Sequence, residues 1–578
     1  MKFIVVSGGV VSGLGKGITT ASLALLLKSR GYKVAPVKID MYLNQDAGTI
    51  RPAEHGEVFV THDGMETDED LGHYERFMDE TLTRVNYITT GQIYAEVLRK
   101  ERAMEYGGED VEAIPHVTDE IIRRITLAGE TEKADIVIIE LGGTVGEYQN
   151  GIFFEATRIM KLRTPSDLVH IHVTYLPYLS NVGELKSKPA QTSVHILNGM
   201  GIQPEIMVAR SQFPIDTWRA ERLALFTSIY PQYIFPAHDA KSVYEVPLLL
   251  AKHNGGIDKA VLELLHVKAK PHKKLLAWQK FVKKIEKSKK KTVTIAMVGK
   301  YSKVGDYKLT DSYVCVNEAL KHAAVFNNVD IEFDWISSDE IESGEKDLST
   351  YSGIVVPQGW GSRGTEGKIR AAQFAREHDI PYLGLCFGMQ MASIEFGRNV
   401  VGLKNANSEE VDSKTKYPVI HVMPHQKEYL EKKQYGGTIR LGAWPCVVKS
   451  NTKLYEAYKV YGNDKKAPWW QRNISLSQSL SLRKDNGNND LDLDLNLDSN
   501  GLLIHERHRH RYEFNNEFRK QFEEKGFVFS GTSPDGELVE AIELKDHPFF
   551  VGTQFHPEYE SRPLRPHPIF VAFVKALL

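Results

Sequence analysis

The chain has 578 residues, more than the roughly 100–200 residues of a typical domain, and this length predicts at least two large domains. It is 42% hydrophobic and 25% charged with a net charge of −3, a balance that favours neither nucleic-acid nor membrane-surface binding. Three scattered cysteines, no signal-peptide pattern and no apolar run of about 20 residues favour a cytoplasmic protein whose partners are small molecules or further copies of itself.

Short β-branched runs alternate with longer helical patterns over the first 267 residues. The runs FIVVSGG, VAPVKID, DIVIIELGG, LVHIHVTYL and EIMVAR have the continuous apolar character of strands buried on both faces. The alternation predicts a parallel α/β sheet with helices on both sides.

A glycine-rich stretch, SGGVVSGLGKGI, follows the first predicted strand and precedes a helix. Glycines let backbone N–H groups approach phosphates, and Lys16 is placed to reach the β- and γ-phosphates of a nucleotide. The match to the P-loop pattern is imperfect, because Val10 stands at the first glycine position and Gly17 follows the lysine. A tight strand-to-helix turn without a ligand is the alternative.

Carboxylates follow this loop along the chain. Asp68 and Asp70 lie in an acidic stretch, and Glu140 ends a buried strand, while Lys38 and Asp40 end the second strand at the same sheet edge. Two carboxylates with phosphate oxygens and water suit Mg²⁺, so the pattern indicates an ATP site. A solvated acidic loop is the alternative for the two aspartates.

Further on, GELKSKPAQTSV carries Lys186, Lys188 and Gln191, which indicate either a second triphosphate site or a solvated turn. Residues 268–291 are lysine-rich with apolar residues at helical spacing, and they predict a solvated linker helix, with an anionic-partner site as the alternative. A second α/β pattern begins at VTIAMVGK and predicts a second domain over 292–578. Inside it, the low-complexity tract at about 463–500 predicts a disordered surface insertion.

The run LGLCFGMQ places Cys386 between two glycines at the end of a strand. This spacing predicts a sharp strand-to-helix turn that presents the thiol at a helix N-terminus. In TQFHPE, His556 is predicted to be the base for the thiol and Glu558 to orient the imidazole, both on one side of an extended segment fixed by Pro557. The glycine-rich stretch 355–368 is predicted to supply an oxyanion hole. Cys315 and Cys446 read as small buried hydrophobic residues.

Taken together and in order, these motifs resemble the CTP synthase family over nearly the whole chain. The resemblance rests on SGGVVSGLGKGI, KIDMYLNQDAGT, EHGEVFV, DEDLGHYERF, ELGGTVG, GELKSKPAQ, RGTEGK, GLCFGMQ, NANSEE, ERHRHRYE and HPE. It implies a P-loop-type, parallel-sheet amidoligase domain over 1–267, a linker helix over 268–291 and an α/β class I glutamine amidotransferase domain over 292–578.

The resemblance also implies a reaction. The first domain would phosphorylate O4 of UTP with Mg-ATP, and ammonia would then displace the phosphate to give CTP. The second domain would release that ammonia from glutamine and deliver it internally. GTP as an allosteric activator, CTP as an inhibitor and homotetramers that sometimes stack into filaments are further implications.

Residue roles are implied by matching each motif. ATP would be bound by Gly13, Leu14, Gly15, Lys16, Gly17, Ile18, Lys38, Asp70 and Asp239. Mg²⁺ would be held by Asp70 and Glu140. UTP or CTP would contact Ser12, Glu147, Lys186, Lys188, Gln191 and Arg222. Around the triad Cys386, His556 and Glu558, glutamine would be held by Gly359, Phe387, Gly388, Gln390, Glu410 and Arg511.

The chain departs from the family pattern at four places. Gln358 replaces a glycine of the usual Pro-Gly-Gly-Phe-Gly, and it would be strained by about 1–2 kcal/mol if the position requires a positive φ. GEYQNG replaces an acidic stretch tied to CTP inhibition, Met41 replaces a proline, and 463–500 is inserted. Two other hypotheses remain: a cobyrinate-type amidotransferase ligase, and a filament-forming regulatory protein with an impaired glutaminase.

Overall fold

A computed structural model describes the chain except for residues 52, 53, 55, 274, 288, 290, 301–302, 305–306, 309–310, 433–434 and 463–500. The predicted insertion at about 463–500 therefore lies outside the described residues. The chain forms two compact units: unit 1 comprises Met1–Thr49 and Thr67–Lys287, and unit 2 comprises Ile50–Glu66 and Ser288–Leu578. Residues 50–66 thus pack within unit 2, although in sequence they lie between two parts of unit 1.

Unit 1 is built on a seven-stranded sheet in which all strands are parallel. The strands are β1 Lys2–Gly8, β2 Val34–Asp40, β3 Tyr87–Thr89, β4 Ile136–Leu141, β5 Leu168–Leu176, β6 Ile206–Ser211 and β7 Ile234–His238. Their order in the sheet is β7-β6-β5-β1-β4-β2-β3. The predicted parallel sheet is confirmed, and the five apolar runs named above are five of its strands.

Helices pack on this sheet and bury two apolar clusters, one centred on Val5, Ile39 and Ile139 and the other on Val194 and Met207. The helices of unit 1 are α1 Lys16–Ser29, α2 Asp70–Met78, α3 Thr90–Arg102, α4 Thr118–Thr131, α5 Gly151–Arg163, α6 Lys188–Gly199, α7 Thr217–Thr227, α8 Val246–Lys252, α9 Ile257–Leu264 and α10 Leu275–Glu286. Short strands lie at Tyr178–Leu179 and Glu184–Leu185.

Helix α10 falls in the stretch predicted to be a linker. Its apolar positions are not solvated, because Trp278 is buried against the rings of Phe77 and Tyr244 and donates its indole N–H to the Tyr244 carbonyl at 2.9 Å. The lysines at its end remain on the exposed side. This helix is therefore amphipathic and part of unit 1.

Unit 2 contains a nine-stranded mixed sheet. Its strands are β8 Thr292–Gly299, β9 Asp330–Ser337, β10 Gly353–Val356, β11 Tyr382–Leu385, β12 Arg440–Lys449, β13 Gly501–His510, β14 Phe527–Thr532, β15 Val539–Leu544 and β16 Phe550–Thr553. Their order is β9-β8-β10-β11-β16-β15-β14-β12-β13, with the first five strands parallel and the remaining neighbours antiparallel. Shorter strands are Phe59–Val60, Glu66–Thr67, Lys303–Val304, Tyr307–Lys308, Asn407–Ser408, Pro418–Val422 and Tyr512–Phe514.

The parallel half of this sheet is covered on both faces by apolar clusters, to which Phe387 and Phe570 belong on opposite sides. The helices are α11 Val314–Asn327, α12 Ser338–Glu342, α13 Thr365–Glu377, α14 Phe387–Phe396, α15 Pro424–Glu431, α16 Lys453–Tyr461, α17 Arg519–Glu523 and α18 Pro568–Ala576. None of the helices that the structure describes is long and apolar enough to span a bilayer.

Candidate active sites

A sharp turn between β11 and α14 carries Cys386. The cysteine has φ 51° and caps α14, so the thiol lies at a helix N-terminus. A side chain at either flanking glycine would collide with backbone: a Cβ on Gly388 would lie 2.0 Å from the Val356 carbonyl oxygen, and one on Gly384 would lie 2.8 Å from the Gly388 carbonyl carbon. The turn predicted from the glycine spacing is therefore present, and its two glycines are sterically required.

His556 and Glu558 form a buried pair in the same unit. Glu558 Oε1 lies 2.7 Å from His556 Nδ1, so Nδ1 carries a proton and donates it in a hydrogen bond to the carboxylate. The other ring nitrogen, Nε2, is then the one that can exchange a proton with a reacting group. Burial opposes protonation of this imidazole, but the charges of Glu558 and Cys386 raise its pKa to about 10. The Tyr559 ring stacks on the imidazole at 5.0 Å. The predicted extended segment is wrong, because Pro557–Glu560 forms a 3-10 turn.

The strand β10 ends beside this turn, and two lysines donate hydrogen bonds to the loop that follows it. Lys368 is fully buried and donates to the carbonyl of Pro357 at 2.8 Å, while Lys300 donates to the carbonyl of Trp360 at 2.7 Å. Burial lowers the pKa of Lys300 to about 8, and burial likewise lowers the pKa of Lys368 well below its usual range. Both ammonium groups lie over the Phe387 ring, at 4.2 Å for Lys300 and 5.3 Å for Lys368.

Gln358 is not strained. It lacks the positive φ that would favour glycine, so the condition for the expected penalty is not met at this position. Its side chain instead donates to Glu57 Oε1 at 2.7 Å. Sequence reasoning missed this partner, because Glu57 lies 301 residues earlier in the chain.

The remaining residues expected to bind glutamine lie in α14 and in loops of unit 2. Gln390 on α14 donates to the Tyr512 carbonyl at 3.0 Å, and Glu410 accepts the Gly361 N–H at 2.7 Å. Burial raises the pKa of Glu410. Arg511 is buried, and its NH1 group has no hydrogen-bond partner among the described residues. An unsatisfied guanidinium nitrogen and a carboxylate suit the two charged ends of an amino acid.

In unit 1, the glycine-rich loop turns sharply between β1 and α1 through residues with positive φ. Gly13 and Gly15 have φ values of 72° and 81°, and Gly15 caps α1. Val10 also has a positive φ of 75°, a conformation in which glycine is usual and a β-branched residue is rare. Lys16 Nζ donates to the Gly143 carbonyl at 2.7 Å, and burial lowers its pKa. In this loop Ser12 is exposed, while Leu14 and Gly17 are buried.

Charged side chains meet at the carboxyl edge of the unit 1 sheet. Lys38 contacts Asp70 and lies 3.1 Å from Glu140, whose other oxygen accepts the hydroxyl of Tyr74. Burial and the Asp70 charge raise the pKa of Glu140 to about 7, whereas Lys38 overcomes burial and lowers the pKa of Asp70 to about 2. A Cβ on Gly17 would collide with Asp70, so loop and carboxylate are in close contact.

The residues expected to bind UTP or CTP are more dispersed. Lys188 begins α6, where Gln191 is buried and donates to Ser187 at 3.0 Å. Lys186 pairs with Glu184, and Arg222 stacks on Trp218 at 5.3 Å. Glu147 accepts the Thr144 N–H at 2.7 Å, and Asp239, expected at ATP, pairs with Arg210 at 2.8 Å. Within the described residues, no hydrogen bond or ion pair joins the side chains named in this paragraph as expected nucleotide contacts to one another.

The fold and the two centres define a class: a parallel-sheet nucleotide-binding unit joined to a unit with a glutaminase-type thiol turn. The sequence profile "CTP synthase N-terminus" matches residues 2–267, and "Glutamine amidotransferase class-I" matches residues 308–576. The CTP synthase of Caldanaerobacter subterraneus subsp. tengcongensis is 47% identical over 580 residues, and that of Bacillus subtilis 46% over 578; each alignment covers 100% of this chain and 98% of the relative.

A solved structure titled "Trypanosoma brucei CTPS - glutaminase domain with bound acivicin" is 31% identical, covering 49% of this chain and 93% of that one with a TM-score of 0.39. Because CTP synthases 46–47% identical to this chain align with it over its whole length, the chain belongs to the CTP synthase family. It is therefore a glutamine-hydrolysing, ATP-using ligase that converts UTP to CTP. The cobyrinate-type alternative is excluded by this membership.

Proposed function

We propose that unit 2 hydrolyses glutamine at Cys386. His556 takes the thiol proton, the resulting thiolate attacks the side-chain amide carbon, and the imidazolium passes that proton to the leaving ammonia while Glu558 holds the ring. The observation that carries this assignment is the buried His556–Glu558 pair in the unit that also bears the glycine-flanked thiol turn. Water then releases glutamate from the thioester, with the same imidazole as base.

The substrate amino acid would be held by its charged ends. Arg511, whose NH1 group has no hydrogen-bond partner among the described residues, suits the α-carboxylate, and Glu410 suits the α-ammonium group. Gly359, Phe387, Gly388 and Gln390 would complete this pocket, with backbone N–H groups for the oxyanion.

Unit 1 would phosphorylate UTP at O4 and exchange the phosphate for ammonia. The glycine-rich loop from Gly13 to Ile18, with Lys16 and Lys38, would bind the ATP phosphates, and Asp239 would contact the rest of ATP. Ser12, Glu147, Lys186, Lys188, Gln191 and Arg222 would bind UTP, and CTP as an inhibitor. Phosphorylation turns a poor oxygen leaving group into a good one, which explains why ATP is used.

The chemistry of Asp70 and Glu140 suits a divalent cation that also takes phosphate oxygens and water, because the two carboxylates lie close enough to contact the same Lys38 ammonium. We infer that they hold Mg²⁺, which would neutralise charge on the transferred phosphate. GTP as an activator, a homotetramer, filaments and a cytoplasmic location are proposed on the family resemblance alone.

A paired assay tests the assignment. CTP formation from UTP and ATP is measured with glutamine and, separately, with ammonia. We expect Cys386→Ala to lose the glutamine reaction and keep the ammonia reaction, and Cys446→Ala, at a buried cysteine outside the site, to keep both. Equal loss of both reactions in Cys386→Ala would contradict the division into two centres. Asp70→Asn should weaken both reactions and raise the Mg²⁺ concentration required for half-maximal rate.

A further inference from the structure

Gln358 lies in the loop directly after β10, next to the thiol turn. In the sheet register Val356 pairs with Gly384, so the two strands end side by side and Cys386 follows two residues after that pair. Gly359, which would supply an oxyanion N–H, is the next residue. Whatever fixes the backbone of Gln358 therefore acts on the adjacent peptide.

The side chain of Gln358 is anchored to a carboxylate that is itself held firmly. Its Nε2 donates to Glu57 Oε1 at 2.7 Å, and Glu57 Oε2 accepts the backbone N–H of Cys315 at 2.7 Å, in the first turn of α11. Carboxylates at helix N-termini and hydrogen bonds to charged acceptors are both favourable. Gln358 Oε1 is buried without a hydrogen-bond partner among the described residues, so Glu57 determines the orientation of the amide.

The backbone of Gln358 is held from another direction. The buried Lys368 Nζ donates to the Pro357 carbonyl at 2.8 Å and lies 3.5 Å from the Gln358 carbonyl. The Gln358 carbonyl and the Gly359 N–H belong to one planar peptide. Fixing the direction of that carbonyl therefore fixes the direction of the N–H as well.

We propose that Gln358 is a positioning residue for glutamine hydrolysis. With Glu57 and Lys368 it fixes the peptide between residues 358 and 359, so that the Gly359 N–H is oriented before the oxyanion forms. Donors that are preorganised in this way stabilise the transition state more than bound substrate. The proposal rests on the glutaminase site assigned above and adds a residue that replaces the family's usual glycine.

A charge-swap experiment tests the bond. Gln358→Glu places two carboxylates together, whereas Gln358→Glu combined with Glu57→Gln restores one amide and one carboxylate in reversed order. We expect the single variant to lower kcat for glutamate release about tenfold or more with KM for glutamine changed less than about threefold. The double variant should recover kcat to within about threefold. Gln373→Glu, on the outer face of α13 beside Glu377, is the matched control and should leave kcat unchanged.

Three results would overturn the proposal: a Gln358→Glu kcat within about twofold of wild type, a change in KM alone, or a folded double variant that does not recover. If Gln358→Glu does not fold, Gln358→Leu removes the donor without adding charge, and the same kcat loss is expected. Failure of the glutaminase assignment itself is recognised separately, because Cys386→Ala would then still release glutamate. Ammonia-dependent CTP formation by each variant reports on the other centre.

Discussion

Gly388→Ala is the sharpest perturbation of the thiol turn. The new Cβ would lie 2.0 Å from the Val356 carbonyl oxygen, and ordinary contact begins at 3.4 Å. The atom it meets is backbone at the carboxyl end of β10, an interior strand of the sheet, so the turn must move by about 1.4 Å instead of a side chain rotating away. Overpacking of this kind costs about 1–3 kcal/mol of folding free energy.

The catalytic cost should exceed the cost in stability. A misplacement of about 1 Å in a reacting group lowers rate by roughly 10²-fold, equivalent to about 2.7 kcal/mol of activation free energy. We therefore expect Gly388→Ala to lose at least about 99% of glutamine-dependent CTP formation. The ammonia-dependent rate should stay within about twofold, because that reaction does not use the thiol.

Gly199→Ala is the matched control, since nothing lies within 4 Å of the point in α6 that its new Cβ would occupy. It should leave the glutamine-dependent rate unchanged and raise the free energy of unfolding by about 0.4–1 kcal/mol, because alanine loses less chain entropy than glycine in a helix. The steric reasoning would be refuted if Gly388→Ala kept glutamine-dependent activity within about tenfold of wild type, or if the control lost as much.

Glu558→Gln removes one of the charges that raise the pKa of His556 to about 10. The alkaline limb of the pH profile of kcat/KM for glutamine should therefore move to lower pH, and kcat should fall by about 10²–10⁴. An unmoved alkaline limb would contradict the assigned His556–Glu558 pair. His172 is buried and its pKa is lowered to about 3, mainly by burial, so its contribution to stability is complete above about pH 6.5 and is lost as pH falls towards 3. His172→Gln should reduce the loss of unfolding free energy between pH 7 and 5 by about 2 kcal/mol in urea titrations, and an unchanged pH dependence would argue against a neutral buried histidine. Val10→Gly should relieve about 1–2 kcal/mol of backbone strain against about 0.5–1 kcal/mol of added chain entropy, so the thermal midpoint should not fall.

Five of the seven strands of the unit 1 sheet were accessible from sequence because they are continuous apolar runs. β7, which reads IFPAH, and β9, which reads DIEFDWIS, were not predicted, because a proline or charged residues interrupt the apolar run. β3 was not predicted, since three residues carry too little periodicity. The antiparallel half of the unit 2 sheet was also missed. β13 reads GLLIHERHRH, and its buried charged residues, among them Glu506, Arg507 and His508, hide the hydrophobic pattern that identifies a strand.

The candidate glutaminase site likewise contains residues that the sequence predicts and residues that it does not. Cys386, His556 and Glu558 lie in short motifs whose local spacing reflects local geometry, and the structure brings the histidine and the glutamate into contact. Glu57 and Lys368 support that site through contacts set by the tertiary fold, and no pattern in one sequence indicates such partners. For the same reason the strain at Gln358 could be stated from sequence only as a condition, which the structure does not meet: whether a loop residue needs a positive φ depends on what surrounds it.

The placement of residues 50–66 within unit 2 limits how this enzyme can exchange parts with relatives. A recombination at the junction between residues 287 and 288 would combine a native glutaminase with another protein's version of 50–66. That segment accepts hydrogen bonds from Tyr559 at Val58, from Arg507 at Val60 and from Arg509 at Glu66. Inheritance of an intact glutaminase therefore requires two stretches of the gene that are separated by more than 200 codons.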